Sequence, residues 1–304
     1  MMHLLSLFDL TAEQIRHALT LAGYMKAHPA SFQYSLKSKS IAMLFEKPSL
    51  RTRVSFEVGI NQLGAQPLYL DAQMVQPGQR ESVEDIARNL ACWTHGIVAR
   101  VFKHETLHAL TAANIPVINA LCDQHHPCQS LADLLTIQER YPIDMKVVDI
   151  LYVGEGNNVC QSFMVGAAAL DLKLTVICPQ GFGPQAEFLS ELNQRYPAHK
   201  IQLGTDLNAV PHADVIYTDT WLSMGDSRDY AETKRIFSAY QVNQQLVERL
   251  QATTVMHCLP AHRNDEITDE VMDGPISAVL QQAENRLYVQ KAVIHHLFEE
   301  SSHS

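Results

Sequence analysis

The most informative part of the sequence is FEKPSLRTRVSF, residues 45–56. It begins at the end of an apolar run, residues 41–45, and apolar side chains recur after it at helical spacing. This order predicts a strand, a tight turn and a helix that begins near Pro48 and Ser49. The first building block of the fold is therefore expected to be a strand followed directly by a helix.

The turn within this stretch concentrates groups that bind phosphate. The start of a helix presents unpaired backbone N–H groups and the positive end of the helix dipole. Hydroxyl and cationic side chains crowd the same turn: Lys47, Ser49, Arg51, Thr52 and Arg53. A solvated basic turn at a capped helix is the alternative. Three cations and two hydroxyls on one turn of an acidic protein favour an anion site.

Size and charge restrict the class of protein. The chain has 304 residues and 46% hydrophobic content, which is enough for two ordinary cores. Its formal net charge of −10 gives no general attraction to nucleic acid or to an anionic membrane. No apolar run approaches the roughly 20 residues of a membrane span, and residues 1–5 lack the features of a signal peptide. We therefore predict a cytoplasmic protein of two domains.

The cysteines show no pattern typical of disulfides or of zinc fingers. They are Cys92, Cys122, Cys128, Cys160, Cys178 and Cys258. Their scattered positions favour reduced thiols over a disulfide framework. Two cysteines and two histidines fall within residues 122–128, but their spacing does not match the usual zinc fingers. We predict no metal.

The first half of the chain alternates strands and helices. It opens with a capping box, residues 11–14, and an amphipathic helix. Predicted strands cover residues 41–45, 67–70, 96–102 and 116–120, and predicted helices cover 83–90, 104–114 and a segment from 125 onward. This alternation predicts a parallel sheet with helices on both faces, whose ligands gather at the carboxyl ends of the strands. The phosphate turn, Arg100 and His126 all fall near such ends and form one expected constellation.

A second alternating set follows a break near residues 141–146. Predicted strands cover 148–153, 172–178, 214–217 and 254–257, with helices at 159–170 and up to 192. The predicted fold class is thus α/β, with two doubly wound domains, each a parallel sheet flanked by helices, joined by interdomain helices. The first domain covers 1–140, completed by a helix at about 285–300, and the second covers 146–284.

The turn GEGNN, residues 154–158, heads the second domain. It lacks the third glycine of a dinucleotide fingerprint, so a dinucleotide is only an alternative here. The adjacent amides of Asn157 and Asn158 suit a zwitterion, because an amide both donates and accepts hydrogen bonds. This turn therefore points to an amino-acid-like ligand more than to a cofactor.

Single residues after strands carry further hypotheses, each with an alternative. Asp219 could hold an ammonium group or cap the turn that follows it, and His126 could be an ordinary residue at the start of a helix. Cys258 could act as a covalent nucleophile, but the neighbouring His257 should point away from it if both lie on one strand. We therefore favour an orienting, hydrogen-bonding role for Cys258.

Four separated segments together resemble the transcarbamylases, the aspartate/ornithine carbamoyltransferase family. They are residues 45–56, HPCQ at 126–129, DTWLSMG at 219–225 and HCLP at 257–260. GNN at 156–158 and ENR at 284–286 add to the resemblance. The first two segments are shared across the family, whereas SMG and HCLP resemble the ornithine branch more than the aspartate branch.

The resemblance implies an activity and an assembly. The implied reaction transfers the carbamoyl group of carbamoyl phosphate to the side-chain amine of L-ornithine, giving L-citrulline and phosphate, as in arginine biosynthesis. It implies no cofactor, and a homotrimer or a multiple of trimers with active sites at subunit contacts. The alternatives are a transcarbamylase for a related amine, putrescine or an N-acylornithine, and a catalytically silent binding homologue.

The resemblance also assigns roles to individual residues. The residues implied to bind carbamoyl phosphate are Ser49, Leu50, Arg51, Thr52, Gln76, Arg100, His126, Gln129, Cys258, Leu259 and Arg286. Those implied to hold ornithine are Asn158, Asp219, Ser223 and Met224. Within the first set, Arg51, Arg100, His126 and Cys258 are the expected catalytic residues.

Leu50 departs from the family pattern, because many relatives carry threonine at this position of the phosphate turn. If the contact there uses the backbone N–H, the change costs little. If a hydroxyl mattered, phosphate binding would weaken by about 1 kcal/mol, a typical net hydrogen bond.

Overall fold

The computed structural model of the chain describes residues 1–71, 75, 78, 80–222 and 227–302. Its contacts divide the chain into two compact units. The first unit comprises Met1–Leu135 together with Asn285–Ser304, and the second comprises Thr136–Glu284. Each unit contains one parallel sheet flanked by helices, so the predicted α/β class is confirmed.

The first unit is built on a four-stranded parallel sheet. Its strands are β1 Ser40–Phe45, β2 Gln66–Asp71, β3 Gly96–Arg100 and β4 Val117–Leu121, in the spatial order β2-β1-β3-β4. Its helices are α1 Ala12–Ala27, α2 Leu50–Gln62, α3 Val83–Ala91, α4 His104–Leu110 and the first part of α5 Pro127–Arg140. β1 pairs with β2 on one side and with β3 on the other. The strand order reverses between β1 and β3. Open α/β sheets bind ligands at the carboxyl ends of the strands that flank such a point.

Local sequence explains why these elements form. Residues 41–45 are all buried, because a parallel strand covered on both faces must be apolar along its whole length. At the start of α1, the Thr11 hydroxyl accepts from the Gln14 N–H (3.2 Å) and the Gln14 side chain accepts from the Thr11 N–H (2.8 Å). The predicted capping box is therefore confirmed.

The second unit is built on a five-stranded parallel sheet. Its strands are β5 Asp149–Val153, β6 Lys173–Ile177, β7 Lys200–Gly204, β8 Val215–Thr218 and β9 Thr254–His257, in the order β7-β6-β5-β8-β9. Its helices are α6 Asn158–Ala169, α7 Ala186–Arg195, α8 Tyr230–Phe237, α9 Gln244–Leu250 and α10 Asp269–Met272. Here the switch between strands lies at β5 and β8, where Val153 is paired with Thr218.

Several predicted boundaries were wrong for identifiable reasons. β3 ends at Arg100 instead of residue 102, because the register between β3 and β4 shifts at Ala99 and Arg100. The helix predicted for residues 104–114 ends at Leu110 and continues as a short 3₁₀ segment, after which Asn114 turns left-handed with φ of 51°. β7 was not predicted, because an edge strand exposes most of its side chains and lacks a continuous apolar run.

The last helix, α11 Val279–Ser302, begins earlier than the predicted 285. The division between the two units falls within α11 and within α5. Among all the helices of the described residues, α11 included, none combines the length and apolar composition needed to cross a membrane.

Candidate active site

The phosphate turn joins β1 to α2 in the first unit. Ser49 is the N-cap of α2, and its hydroxyl accepts from the Thr52 N–H at 3.3 Å. The turn is tied to β3, because the Glu46 N–H donates to the Arg100 carbonyl at 2.8 Å and the Glu46 carboxylate accepts from the Phe102 N–H at 2.6 Å. The predicted helix start is confirmed, and its free N–H groups lie beside the carboxyl end of β3.

Guanidinium groups converge on this turn from distant parts of the chain. The Thr52 hydroxyl accepts from Arg100 at 3.5 Å and from Arg286 of α11 at 3.3 Å. Arg100 is only 7% exposed, and its Nε has no hydrogen-bond partner among the described residues. Burial, followed by the charges of Arg286 and Arg51, lowers the pKa of Arg100 to about 10. Buried like charges of this kind favour an anionic ligand, because an anion would neutralise them.

His126 and Gln129 complete this group at the start of α5. His126 is buried, and burial, together with the charges of Arg286 and Arg100, holds its pKa well below the usual value, so its ring is neutral. The Gln129 side-chain carbonyl accepts from Arg286 at 2.6 Å, and its amide donates to Asp133 at 2.8 Å. These two bonds fix the orientation of the Gln129 amide.

The loop that carries His126 is held by buried polar contacts. The Cys122 sulfur accepts from the His125 N–H at 3.2 Å, and the Asn119 amide donates to the Leu5 carbonyl at 2.7 Å. The His104 Nδ1 lies 3.3 Å from the Cys122 sulfur. Cys122 and His125, two of the four cysteine and histidine residues within 122–128, therefore form contacts within this turn.

The two adjacent buried histidines make the fold sensitive to acid. Burial and the His104 charge lower the pKa of His125 to about 4, and the pKa of His126 lies well below its usual value. Because the unfolded chain binds these protons near pH 6.5, the stability contributed by the neutral rings is full above that pH and is lost as pH falls towards the folded pKa. From pH 7.5 to 5.0, His125 alone should remove about 2 kcal/mol from the free energy of unfolding, and His126 should add to this loss.

His125→Phe is the variant that checks this expectation. His125 contacts the rings of Phe8 and His104 at 6.2 and 5.2 Å, so phenylalanine fills the same space. Urea unfolding at one protein concentration should show the variant losing about 2 kcal/mol less than the unaltered protein over this pH range. An identical pH slope in the two proteins would contradict the assignment.

The second unit carries its own cluster, at the ends of β5, β8 and β9. Asp219 follows β8 and is buried. Its Oδ1 accepts from the Cys258 thiol at 2.9 Å and from the Thr220 N–H at 2.7 Å, and its Oδ2 accepts from the Asn157 amide at 2.9 Å. Asp219 thus caps the turn that follows it, as the alternative hypothesis expected, and also fixes the thiol.

His257 does not point away from Cys258 as predicted. One of its ring nitrogens lies within 4.8 Å of the Cys258 sulfur. The prediction applied only if both residues lay on one strand; β9 ends at His257, as predicted, so the alternation of a strand does not reach Cys258. His257 is nevertheless occupied, since its Nε2 donates to Glu266 at 3.1 Å and its Nδ1 accepts from the Leu259 N–H at 2.9 Å. It is therefore not placed to act as a base for the thiol.

Leu259 is held in a conformation that leucine rarely adopts. Its φ is 62°, in the left-handed region. A non-glycine residue in this region costs about 1–3 kcal/mol and persists only where the surrounding structure fixes it. The His257–Glu266 pair, both side chains of which are almost fully buried, supplies that constraint through the bond to the Leu259 N–H.

Two groups of side chains in the described part of the chain bring three possible metal ligands within 4.8 Å. They are Asp219, His257 and Cys258, and Asp149, His212 and Asp214. The first group already uses its ligand atoms in the hydrogen bonds given above. In the second, His212 contacts Asp214 at 3.2 Å and Asp149 pairs with Lys173 at 3.4 Å. Neither group requires a metal to satisfy its polar atoms.

The dinucleotide alternative is disfavoured by packing at Gly156. The second glycine of that fingerprint lets a diphosphate approach the backbone. Here a Cβ at Gly156 would lie 2.2 Å from the Pro184 nitrogen, and the Gly156 N–H donates to the Phe182 carbonyl at 2.8 Å. The chain's own segment, residues 182–184, takes the space beside this glycine.

Other predicted residues differ in where the structure places them. Leu50 is 74% exposed, so its side chain faces outward while its N–H belongs to the start of α2. Asn158 is the first residue of α6. Gln76, Ser223 and Met224 lie outside the described residues.

Sequence reasoning assigned no separate role to Asn157, nor to the His257–Glu266 pair. Asn157 carried a usable signal, because asparagine directly before a helix is a typical N-cap. No sequence pattern indicated the hydrogen bond between His257 and Glu266, since it joins residues on different segments through buried side chains. The bond from Arg286 to Thr52 likewise spans most of the chain.

Comparison with known proteins gives matches over almost the whole chain. The family model described as "Aspartate/ornithine carbamoyltransferase, carbamoyl-P binding domain" matches residues 2–139. The model described as "Aspartate/ornithine carbamoyltransferase, Asp/Orn binding domain" matches residues 146–297. Together the two models cover both units.

Individual relatives and solved structures agree with these family models. The ornithine carbamoyltransferase of Shewanella oneidensis is 50% identical, with 98% of this chain and 100% of the relative aligned. The ornithine carbamoyltransferase of Methanocaldococcus jannaschii is 42% identical, with 98% of this chain and 99% of the relative aligned. The structure of the Pyrococcus furiosus ornithine carbamoyltransferase matches with a TM-score of 0.90, 43% identity, and 96% and 95% coverage. The Thermus thermophilus structure matches with a TM-score of 0.87, 39% identity, and 98% and 99% coverage.

Proposed function

Because this chain belongs to the aspartate/ornithine carbamoyltransferase family, we propose that it transfers the carbamoyl group of carbamoyl phosphate to the side-chain amine of L-ornithine. The products are L-citrulline and phosphate. The observation that carries the proposal is the convergence of Arg100 and Arg286 on Thr52, at the helix start that Ser49 caps. We further propose a cytoplasmic enzyme of arginine biosynthesis.

The donor is assigned to the first unit. Its phosphate takes the N–H groups and hydroxyls of residues 49–52, with the Arg51 guanidinium pairing with phosphate oxygens. Arg100, His126 and Gln129 surround the carbamoyl end, with the neutral His126 ring and the fixed Gln129 amide offering hydrogen bonds of defined direction. The resemblance adds Arg286, and Gln76 from outside the described residues.

The acceptor is assigned to the second unit. Asp219 offers a buried carboxylate for the α-ammonium group, and Asn158 offers an amide for the α-carboxylate. The resemblance adds Ser223 and Met224, and places Cys258 and Leu259 beside the reacting centre. A free α-amino acid suits this set of residues. An amine that lacks an α-ammonium group would leave the Asp219 carboxylate without a charged partner.

The reaction is attack of the neutral amine on the carbamoyl carbon, with a bond formed from nitrogen to carbon and the bond to the phosphate oxygen broken. An alkylamine with a pKa near 10.4 costs about 4 kcal/mol to deprotonate near pH 7.5. Negative charge develops on the carbonyl oxygen and then on the departing phosphate. The cations at the phosphate turn stabilise the negative charge on the carbonyl oxygen and on the phosphate, because buried positive charge acts strongly on charge that develops close to it.

The exposed face of α2 supports the proposed homotrimer or multiple of trimers. Leu50, Val54 and Val58 recur every four residues on this helix and are 74%, 47% and 39% exposed. An exposed apolar stripe of this kind is typical of a protein–protein contact. Light scattering at several concentrations should give a mass of three chains or a multiple, and Val54→Glu should shift it towards one chain. A single-chain mass for the unaltered protein would contradict the assembly.

One parallel assay tests the proposed reaction. Carbamoyl phosphate is supplied with ornithine, putrescine, N-acetylornithine or aspartate, and both phosphate release and the carbamoylated amine are measured. We expect rapid turnover with ornithine alone. Faster turnover with another amine would reassign the acceptor, and no release with any of them would favour a binding protein without turnover.

A further inference from the structure

The Asn157 side chain contacts both Asp219 of the proposed acceptor site and the start of α6. Its side-chain carbonyl accepts from the N–H groups of Val159 and Cys160 at 3.0 and 3.1 Å, which caps α6. Its side-chain amide donates to Asp219 Oδ2 at 2.9 Å. The two ends of one amide thus make separate contacts, one that caps a helix and one that holds a carboxylate.

The Asp219 carboxylate accepts hydrogen bonds on both oxygens in this arrangement and, with about four acceptor positions, can still accept one from the proposed ammonium group. Its second oxygen accepts from the Cys258 thiol and from the Thr220 N–H. A carboxylate with donors on both oxygens cannot rotate without breaking a hydrogen bond, so removing the Asn157 donor frees one side of it. The orientation of the thiol then changes with that of its acceptor.

We propose that Asn157 is a positioning residue whose amide holds the Asp219 carboxylate, and with it the Cys258 thiol, in the orientation that the amino-acid substrate requires. The proposal rests on the function proposed above for the acceptor site. It assigns Asn157 a role distinct from that of Asn158, which the family resemblance places in direct contact with substrate.

Two variants distinguish the proposed positioning of Asp219 from the capping of α6. Asn157→Asp keeps a good helix cap but replaces the amide donor with a carboxylate that repels Asp219. Asn157→Ser also keeps a cap and removes the donor without adding charge. Both variants should fold and keep the KM for carbamoyl phosphate. Thermal unfolding of Asn157→Ser should be close to that of the unaltered protein, whereas Asn157→Asp should unfold at a lower temperature at high pH because its carboxylate lies beside Asp219.

The kinetic readout is the KM for ornithine as a function of pH. Asn157→Ser should raise it roughly 10-fold at all pH values, and Asn157→Asp roughly 100-fold at pH 8.5, since hydrogen bonds to charged groups contribute about 1.5–3 kcal/mol. The deficit of Asn157→Asp relative to the unaltered protein should shrink towards pH 6, because one of the two carboxyl groups then takes up a proton and can donate again. Tyr152 and Cys160, which face the cluster, stay neutral in this range because burial raises the pKa of each well above its usual value.

A second readout does not depend on turnover. Alkylation by iodoacetamide is followed at Cys258 and at the exposed Cys92, which serves as the internal reference. The added carboxylate of Asn157→Asp should slow Cys258 roughly 3–10-fold near pH 8, because a nearby negative charge disfavours the thiolate. Asn157→Ser should not slow it.

Opposite results would overturn the proposal. An unchanged KM for ornithine in Asn157→Asp would show that the amide does not position Asp219, as would a deficit that does not vary with pH. If the unaltered protein released no citrulline, the proposed function would fail, and the alkylation rates alone would decide the inference. An unchanged Cys258 rate would then reject it.

Discussion

Arg100→Met should weaken carbamoyl phosphate binding roughly a thousandfold, because removing one partner of a buried charge pair costs about 3–5 kcal/mol. Arg100 is buried at the end of β3, and its only hydrogen bond from the guanidinium to a described side chain goes to Thr52. Its remaining donors are therefore available to the anion that we propose. The measurement is the KM for carbamoyl phosphate, together with the dissociation constant from calorimetry.

The same substitution should leave the ligand-free protein at least as stable as before. The pKa of Arg100 is lowered from its usual value to about 10, so the folded state holds this charge less favourably than the unfolded chain at every pH below 10. The cost is on the order of 3 kcal/mol near neutral pH. Thermal unfolding should therefore occur at an equal or higher temperature, and added phosphate should raise it in the unaltered protein but not in the variant.

Arg53→Met is the matched control for Arg100→Met. Arg53 lies on the same helix start but pairs with Glu57 at 3.0 Å and stacks on the Tyr69 ring at 3.7 Å. These contacts occupy its guanidinium, so we expect near-normal carbamoyl phosphate binding. Equal losses in the two variants would mean that general positive charge, and not the buried group, attracts the donor.

Asp219→Asn should lower kcat/KM for ornithine by roughly a thousandfold, since the ammonium group loses a buried ion-pair partner and the cost is again about 3–5 kcal/mol. Asparagine keeps the shape of the side chain, so the fold should survive. The KM for carbamoyl phosphate should change little, because the groups assigned to that substrate's phosphate lie in the first unit. Steady-state kinetics with each substrate varied in turn gives this separation.

Cys258→Ser should cost far less than Asp219→Asn. A serine hydroxyl can still donate to Asp219, so the orienting role is mostly kept, and we expect a loss of roughly 10-fold. A complete loss of activity in Cys258→Ser would favour a covalent role for the thiol. Normal turnover would count against any role for it.

The sequence predicted the parts of the site that depend on local pattern. The helix start at Ser49 follows from a proline and a serine after an apolar run, and Arg100 and His126 follow from their places near the carboxyl ends of predicted strands. Long-range partnerships could not be predicted in the same way. The contact of Arg286 with Thr52 and the pairing of His257 with Glu266 depend on how separate segments pack, and no local periodicity encodes that.

The limits of strand alternation explain the one error that affects the chemistry. The expected direction of His257 held only if the strand continued through Cys258, but β9, an edge strand of its sheet, ends at His257. The left-handed Leu259 was equally hidden, because leucine gives no signal for that conformation. Irregular backbone is where sequence patterns carry the least information.

Each sheet reverses its strand order once, at β1/β3 in one unit and at β5/β8 in the other, and the phosphate turn, Arg100, Asn158 and Asp219 lie at the carboxyl ends of those strands. The residues that we assign to the donor's phosphate and to ornithine therefore lie on separate loops of separate units. If these assignments hold in the kinetic tests above, substitutions in the loops after β5 and β8 should change the preference for the amine more than the binding of the carbamoyl donor. Such modularity makes the acceptor half the natural starting point for evolving or engineering new transferases from this chain.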